Sequence, residues 1–183
     1  MTILDALDDP ALFASHFADH SWRPWRSFLA TCHGLPTDAT DLALYRECTG
    51  RQEPPTSPTR EAWCIVGRRG GKSRIAALVG VYQAAFVDHP PKLAPGEVAV
   101  VAIIASDRQQ AQVVFRYVRA LLTETPMLRR LVVNETAEAI ELRGRVRIEV
   151  WERRQVRVTE PMARLLTLLA TTRPTTGKGG HRR

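Results

Sequence analysis

Trp63-Cys64-Ile65-Val66-Gly67-Arg68-Arg69-Gly70-Gly71-Lys72-Ser73-Arg74 joins a short apolar run to a glycine-rich basic turn and then to a helical pattern. The run at residues 62–66, with its β-branched end, predicts a buried strand. Downstream, Ile75, Leu78, Val79, Tyr82 and Phe86 recur at helical spacing, which predicts a helix of about four turns. A glycine-rich turn between a strand and a helix suits phosphate. Glycines let backbone N–H groups curl around phosphate oxygens, and a Lys reaches the terminal phosphates. A Ser hydroxyl ligates Mg²⁺, and the helix N-terminus faces the anion. Gly70, Gly71, Lys72 and Ser73 meet these needs. The usual spacing GxxxxGK[ST] would place its first glycine at Val66; here it stands one position later, at Gly67.

Working outward, residues 98–105 predict a second strand, apolar without alternation, as in the centre of a parallel sheet. Ser106 and Gln109 predict a capping box opening a helix to about Leu122, with Ala111, Val114, Val118 and Leu121 on its apolar face. Strand, loop, helix, strand and helix in that order imply a βαβ unit and a parallel α/β sheet. Residues 131–133, 139–142 and 146–150 predict short strands, with Arg143-Gly144 turning the last two into a hairpin. Upstream, residues 1–30 predict helices, Pro24 starting the second and Gly34 with Pro36 ending it. Leu12, Phe13 and Phe17 share one face, and Trp22 and Trp25 are expected in the core. Residues 41–48 predict a short helix, and 50–60, with three prolines, a loop.

Charge divides the chain of 183 residues. Residues 1–150 hold 18 Lys+Arg against 17 Asp+Glu, whereas residues 151–183 hold eight against two. Most of the net charge of +7 therefore belongs to the last 33 residues. A basic nucleic-acid module throughout is excluded, and 151–183 reads as a separate tail. Within it, Met162, Leu165, Leu166 and Leu169 could line a small helix, and 171–183 reads as disordered. The expected organisation is a helical segment and loop over 1–60, a partial nucleotide-binding core over 61–150, and the tail. Asp5, Asp8 and Asp9 without a long apolar run predict no signal peptide, and 98–105 is too short to span a bilayer. Cys32, Cys48 and Cys64, odd in number and widely spaced, suit a reducing compartment and packing roles.

The run from Trp63 to Arg74 resembles the deviant phosphate loop of bacteriophage terminase large subunits, the ATPase motors that drive DNA into procapsids. Trp22-Arg23-Pro24-Trp25-Arg26-Ser27-Phe28-Leu29 and Ala105-Ser106-Asp107-Arg108-Gln109-Gln110-Ala111 are similar to that family too. The resemblance covers roughly residues 15–150. It implies a P-loop NTPase-type sheet flanked by helices, with ATP and Mg²⁺ as cofactors. Lys72 would hold the β- and γ-phosphates, Ser73 would ligate Mg²⁺, and Gly67, Gly70 and Gly71 would form the cradle. Arg68, with Arg69 beside it, would sit at the phosphates. An arginine on developing phosphoryl charge contributes on the order of 10³-fold or more in rate. Both otherwise read as solvated loop charge. Where the family often has a Gln that reads adenine, the nearest residue here is Arg26. The implied partners are double-stranded DNA, the portal and the small terminase subunit, in the cytoplasm of a bacterial host.

One part of the chemistry is missing from the pattern. Phosphoryl transfer needs an acid at the end of a neighbouring apolar strand. Asp107 is the last aspartate of the sequence, and Leu131-Val132-Val133-Asn134-Glu135 puts a neutral Asn where charge is needed. The expectation is therefore an N-terminal terminase fragment, phage or prophage in origin, that binds ATP and is catalytically deficient. Two other functions stay open. One is a helicase-like or nucleotide-kinase P-loop enzyme using Glu135 or Glu149 as its acid. The other is a non-enzymatic product whose basic tail binds nucleic acid.

Overall fold

The structure, a computed structural model, describes residues 1–89, 93–105 and 107–152. The tail predicted beyond residue 152, with its helix at 162–169, lies outside the described residues.

Four short helices come first. Helix α1 (Ile3–Asp8) opens on a capping box, in which Thr2 and Asp5 satisfy each other's backbone N–H. Helix α2 (Ala14–Phe17) and a 3-10 turn (His20–Trp22) lead into α3 (Arg23–Cys32), which starts one residue before the predicted Pro24, with that proline in its first turn, and ends before Gly34, at φ +63. Helix α4 (Ala39–Thr49) is longer than predicted, because Asp38 caps it by accepting from Asp41 N at 2.8 Å. That bond, with Arg23 nearby, holds the Asp38 carboxyl below its ordinary value. Residues 50–60 form no helix or strand, as expected.

Helix α5 (Lys72–Phe86) is buried on more than its predicted stripe. Ala76, Ala77, Val81 and Ala84 are buried along with Ile75, Leu78, Val79 and Tyr82. A helix apolar all round must be covered on all sides. On one side lies the N-terminal segment: Phe13 meets Phe86 edge-to-face with centroids 6.3 Å apart, and Tyr82 Oη donates to Met1 O at 3.0 Å. On the other lie the sheet and α6 (Arg108–Glu124), whose predicted face Ala111, Val114, Val118 and Leu121 is buried together with Phe115 and Leu122. Asp107 caps α6, accepting from Gln110 N at 2.9 Å. The cap is thus one residue later than the predicted Ser106, which itself lies outside the described residues.

The sheet has the order β1 (Ala99–Ala105), β4 (Val146–Glu152), β3 (Ala139–Leu142), β2 (Val132–Glu135). Only β1 and β4 run parallel, in register from Ala99 with Val146 to Ala105 with Glu152; the other two pairings are antiparallel. The fold is α/β as expected, but the sheet is mixed rather than parallel. The expected βαβ unit of 62–66, α5 and 98–105 is absent, since 62–66 forms no strand; the parallel crossover is instead β1, α6 and β4, with a short helix α7 (Pro126–Arg129) and β2–β3 inside it. The hairpin turn at Arg143-Gly144 is present, with Gly144 at φ +89 and Arg145 at φ +61. Val146, Ile148 and Val150 of β4 are buried, whereas Arg147 and Glu149 alternate onto the other face.

Two expectations fail together. Residues 62–66 form no strand: Trp63 is 78% and Ile65 103% exposed. Residues 98–105 give not a central strand but, among the described residues, the edge strand β1. The two are one fact: among the described residues β1 has one side open, the side that a parallel neighbour at 62–66 would fill. β4, reached through α6, takes the other side of β1, while 62–66 stays exposed and pairs with no strand among the described residues. β4 also runs to Glu152, past the expected boundary at 150.

Leu78, fully buried in α5, is expected to lose about 3 kcal/mol of folding stability as Leu78→Ala, by cavity formation, in chemical denaturation. Ile65→Lys and Trp63→Lys are expected to leave the melting temperature unchanged, since both side chains are already exposed, and to reduce self-association by light scattering.

Candidate functional site: the glycine loop at the start of helix α5

Residues 67–71 curl tightly before α5. Gly70 N donates to Gly67 O at 3.4 Å, and Arg74 N and Ile75 N both donate to Gly71 O, at 2.9 and 3.1 Å. Arg69 has φ +61 and Gly71 φ +80, with no positive φ at Gly70 between them. Alternation of this kind turns successive N–H groups toward one concavity, the geometry of an anion nest. Gly71 stands at the N-cap of α5 without a side-chain cap. The first N–H groups of a helix have no acceptor within it, and this 15-residue helix adds its dipole at the same end.

The cradle glycines differ in why they are glycine. A Cβ on Gly71 would lie 2.7 Å from Trp22 Cζ3 and 2.9 Å from its Cη2, at a φ that L residues rarely adopt. On Gly70 it would lie 2.4 Å from Val66 Cγ1. On Gly67 it would meet nothing within 4 Å. The glycine that stands out of the usual spacing is thus the one whose place tolerates a side chain.

Lys72, half-buried, folds its Nζ back over the loop to Gly67 O at 3.5 Å. Ser73 follows it in the first turn, half-buried. Arg68 and Arg69 are exposed, and among the described residues no carboxylate pairs with either. The structure therefore brings Gly67, Arg68, Arg69, Gly70, Gly71, Lys72 and Ser73 together in one turn, with unneutralised positive charge beside free backbone donors. Such a turn can hold a polyphosphate on its open face.

The residues around the loop are less expected. Trp25 Nε1 donates to Gly70 O at 2.8 Å. Trp22 lies against Gly71 and under the Arg74 guanidinium, whose carbon is 4.8 Å from its ring centroid and 5.1 Å from that of Phe17. Arg74 also donates to His16 O at 2.7 Å. Trp22 and Trp25 are half-buried against the core rather than within it, and they support the loop. No sequence signal marks that role, because the contact spans 45 residues. Arg26 is held bidentately by Asp8, with both contacts at 2.8 Å.

The alternative acids are engaged elsewhere. Glu135 lies on β2, the sheet edge opposite β1, and pairs with Arg119. Its strand is mostly exposed, unlike the buried strand that carries a catalytic acid. Glu149 is ion-paired with Arg147, whose Nε is 3.0 Å away, and accepts a hydrogen bond from the Trp151 indole N–H. Hollows of about 530 Å³ beside α1–α3 and about 660 Å³ along α6 are lined by none of residues 67–73. A nest that binds through backbone amides needs no enclosing cavity, so the loop is the better-founded site. Cys48 and Cys64 are exposed rather than packed, and burial pushes the Cys32 thiol up to about 11. No helix among the described residues is long and apolar enough to cross a membrane.

Comparison with family models, curated proteins and solved structures finds no match for the chain.

Gly71→Ala is expected to lower the melting temperature, through a left-handed residue costing roughly 1–2 kcal/mol and the displaced Trp22 ring. Gly67→Ala, which fills open space, is expected to leave folding stability within about 0.5 kcal/mol of wild type, with the melting temperature nearly unchanged. Differential scanning fluorimetry of the two variants side by side checks the contrast.

Proposed function

We propose that the chain binds Mg-ATP at residues 67–73, as the N-terminal part of a terminase-type packaging ATPase. The observation that carries the proposal is the uncapped start of α5 behind the Gly70-Gly71 turn, with Lys72 Nζ folded over that turn. The resemblance of the residues from Trp63 to Arg74 supports the terminase part, and the loop geometry supports the phosphate part.

The fit of the groups is chemical. Backbone N–H groups of the nest and α5 would hold the phosphate oxygens. Lys72 would leave Gly67 O for the β- and γ-phosphates, at the cost of one long hydrogen bond. Ser73 would offer its hydroxyl to Mg²⁺, which supplies charge neutralisation across the phosphates when bound. Arg68 and Arg69, carrying no carboxylate partner among the described residues, would add charge at the γ-phosphate end. Arg26 is unsuited to reading adenine while Asp8 holds it, so selectivity for the base is weak in this proposal. Glu135 and Glu149, the two candidate acids, are both engaged in ion pairs away from the loop, so the proposal is one of binding with slow turnover. Double-stranded DNA, the portal and the small terminase subunit are the partners the proposal implies.

Isothermal titration with Mg-ATP is expected to show binding that Lys72→Ala weakens by about tenfold or more, the loss of a charge-assisted contact. Adenosine alone is expected not to bind. Equal affinity of wild type and Lys72→Ala would overturn the site, and steady-state hydrolysis at ordinary ATPase rates would overturn the deficiency.

A further inference from the structure

The strongest unassigned feature is the indole of Trp25 on the loop carbonyl. The peptide between Gly70 and Gly71 is trans, as are all those among the described residues. In a trans peptide the C=O and the following N–H point in opposite directions. The bond from Trp25 Nε1 to Gly70 O therefore sets the direction of the Gly71 N–H, away from Trp25. Two glycines in succession are the most permissive pair the backbone can have. Unheld, this peptide plane can flip, turning a carbonyl toward the phosphates and an N–H away from them. A carbonyl oxygen facing an anion repels it, so one flip removes a donor and adds a like charge.

Trp25 is held in turn. It packs edge-to-face on Phe28, with centroids 5.6 Å apart, within α3. Beside it, Trp22 closes on Gly71 and is itself fixed between the Arg74 guanidinium and Phe17, whose ring is 5.0 Å away. The loop thus lies against an aromatic bracket from the N-terminal segment. On its upstream side, residues 62–66 provide no strand to anchor it.

We infer that Trp25 is a positioning residue for the phosphate site: its indole N–H holds the Gly70–Gly71 peptide in the orientation that aims the Gly71 amide into the anion nest, with Trp22 as the wall behind it. The inference rests on the proposed polyphosphate site at 67–73 and adds how that site is kept formed. A residue outside the loop, from a different helix, then sets the phosphate affinity.

The test is Trp25→Phe, which keeps a ring against Phe28 and removes the donor. Hydrogen exchange by mass spectrometry is measured on the nucleotide-free full chain, over peptides covering 67–74. Amide exchange there is expected to rise about three- to tenfold, the usual worth of one hydrogen bond, with the global melting temperature unchanged. Inorganic tripolyphosphate with Mg²⁺ is the binding probe, and its affinity is expected to fall by a similar factor. A purely structural role for Trp25 would lower the melting temperature without this local exchange. Unchanged exchange over 67–74, or faster exchange with unchanged tripolyphosphate affinity, overturns the inference. If Trp25→Phe loses its cooperative melt, benzothienylalanine at position 25, with sulfur in place of the N–H, serves the same comparison. Failure of wild type to bind tripolyphosphate or Mg-ATP overturns the phosphate site itself, while the exchange measurement still decides whether Trp25 orders the loop.

Discussion

Everything in the structure is arranged around the need to bury α5 (Lys72–Phe86) on all sides. Its inward and outward faces are both apolar, with Ile75, Ala77, Leu78 and Val81 essentially inaccessible to solvent. One layer cannot cover such a helix. The sheet and α6 take one side, and α1 to α3 with their Phe13 and Phe17 take the other. The N-terminal helices are therefore not an appendage to an α/β core. They are the layer that keeps α5 out of water, and each methylene they cover contributes about 0.8 kcal/mol.

This burial also prepares the site. A helix pinned along its length has a fixed N-terminus, and the orphan N–H groups of its first turn point to one place. The loop before it needs only to avoid blocking that place. Gly70 and Gly71 do so because a Cβ on either would collide, with Val66 in one case and Trp22 in the other. The same N-terminal layer that covers α5 supplies Trp22, Trp25 and the His16 carbonyl that receives Arg74. Stability and site geometry thus share side chains, so substitutions in this bracket act on both. Trp25→Phe is informative because it separates them.

Much of this was legible along the chain. Helix α3 carries Pro24 in its first turn, and α5 follows Gly71, because proline and glycine restrict or free the backbone locally. The face of α6 could be read from Ala111, Val114, Val118 and Leu121, because amphipathic spacing reports burial directly. The loop residues from Gly67 to Ser73 are adjacent in sequence, and the structure keeps them so. The strand at 62–66 could not be read correctly, because an apolar run states only that it could pair, not that it does, even beside the open edge of β1. The place of β1 at the edge and the mixed sheet follow from the same limit: pairing partners are chosen across 47 residues, as Ala99 with Val146. The support from Trp25 was illegible for a similar reason, since nothing local to Gly70 names its partner.

By itself, then, the sequence determined the glycine-rich basic turn, the long apolar helix after it, the α6 stripe and the hairpin at Gly144. Each depends on the conformational freedom or burial of residues within a few positions of one another. The tertiary structure alone decided which strand pairs with β1, that residues 62–66 stay exposed, and that two tryptophans from α3 and the turn before it brace the loop. Those outcomes depend on which surfaces remain free once α5 is covered, and that competition exists only in the folded chain.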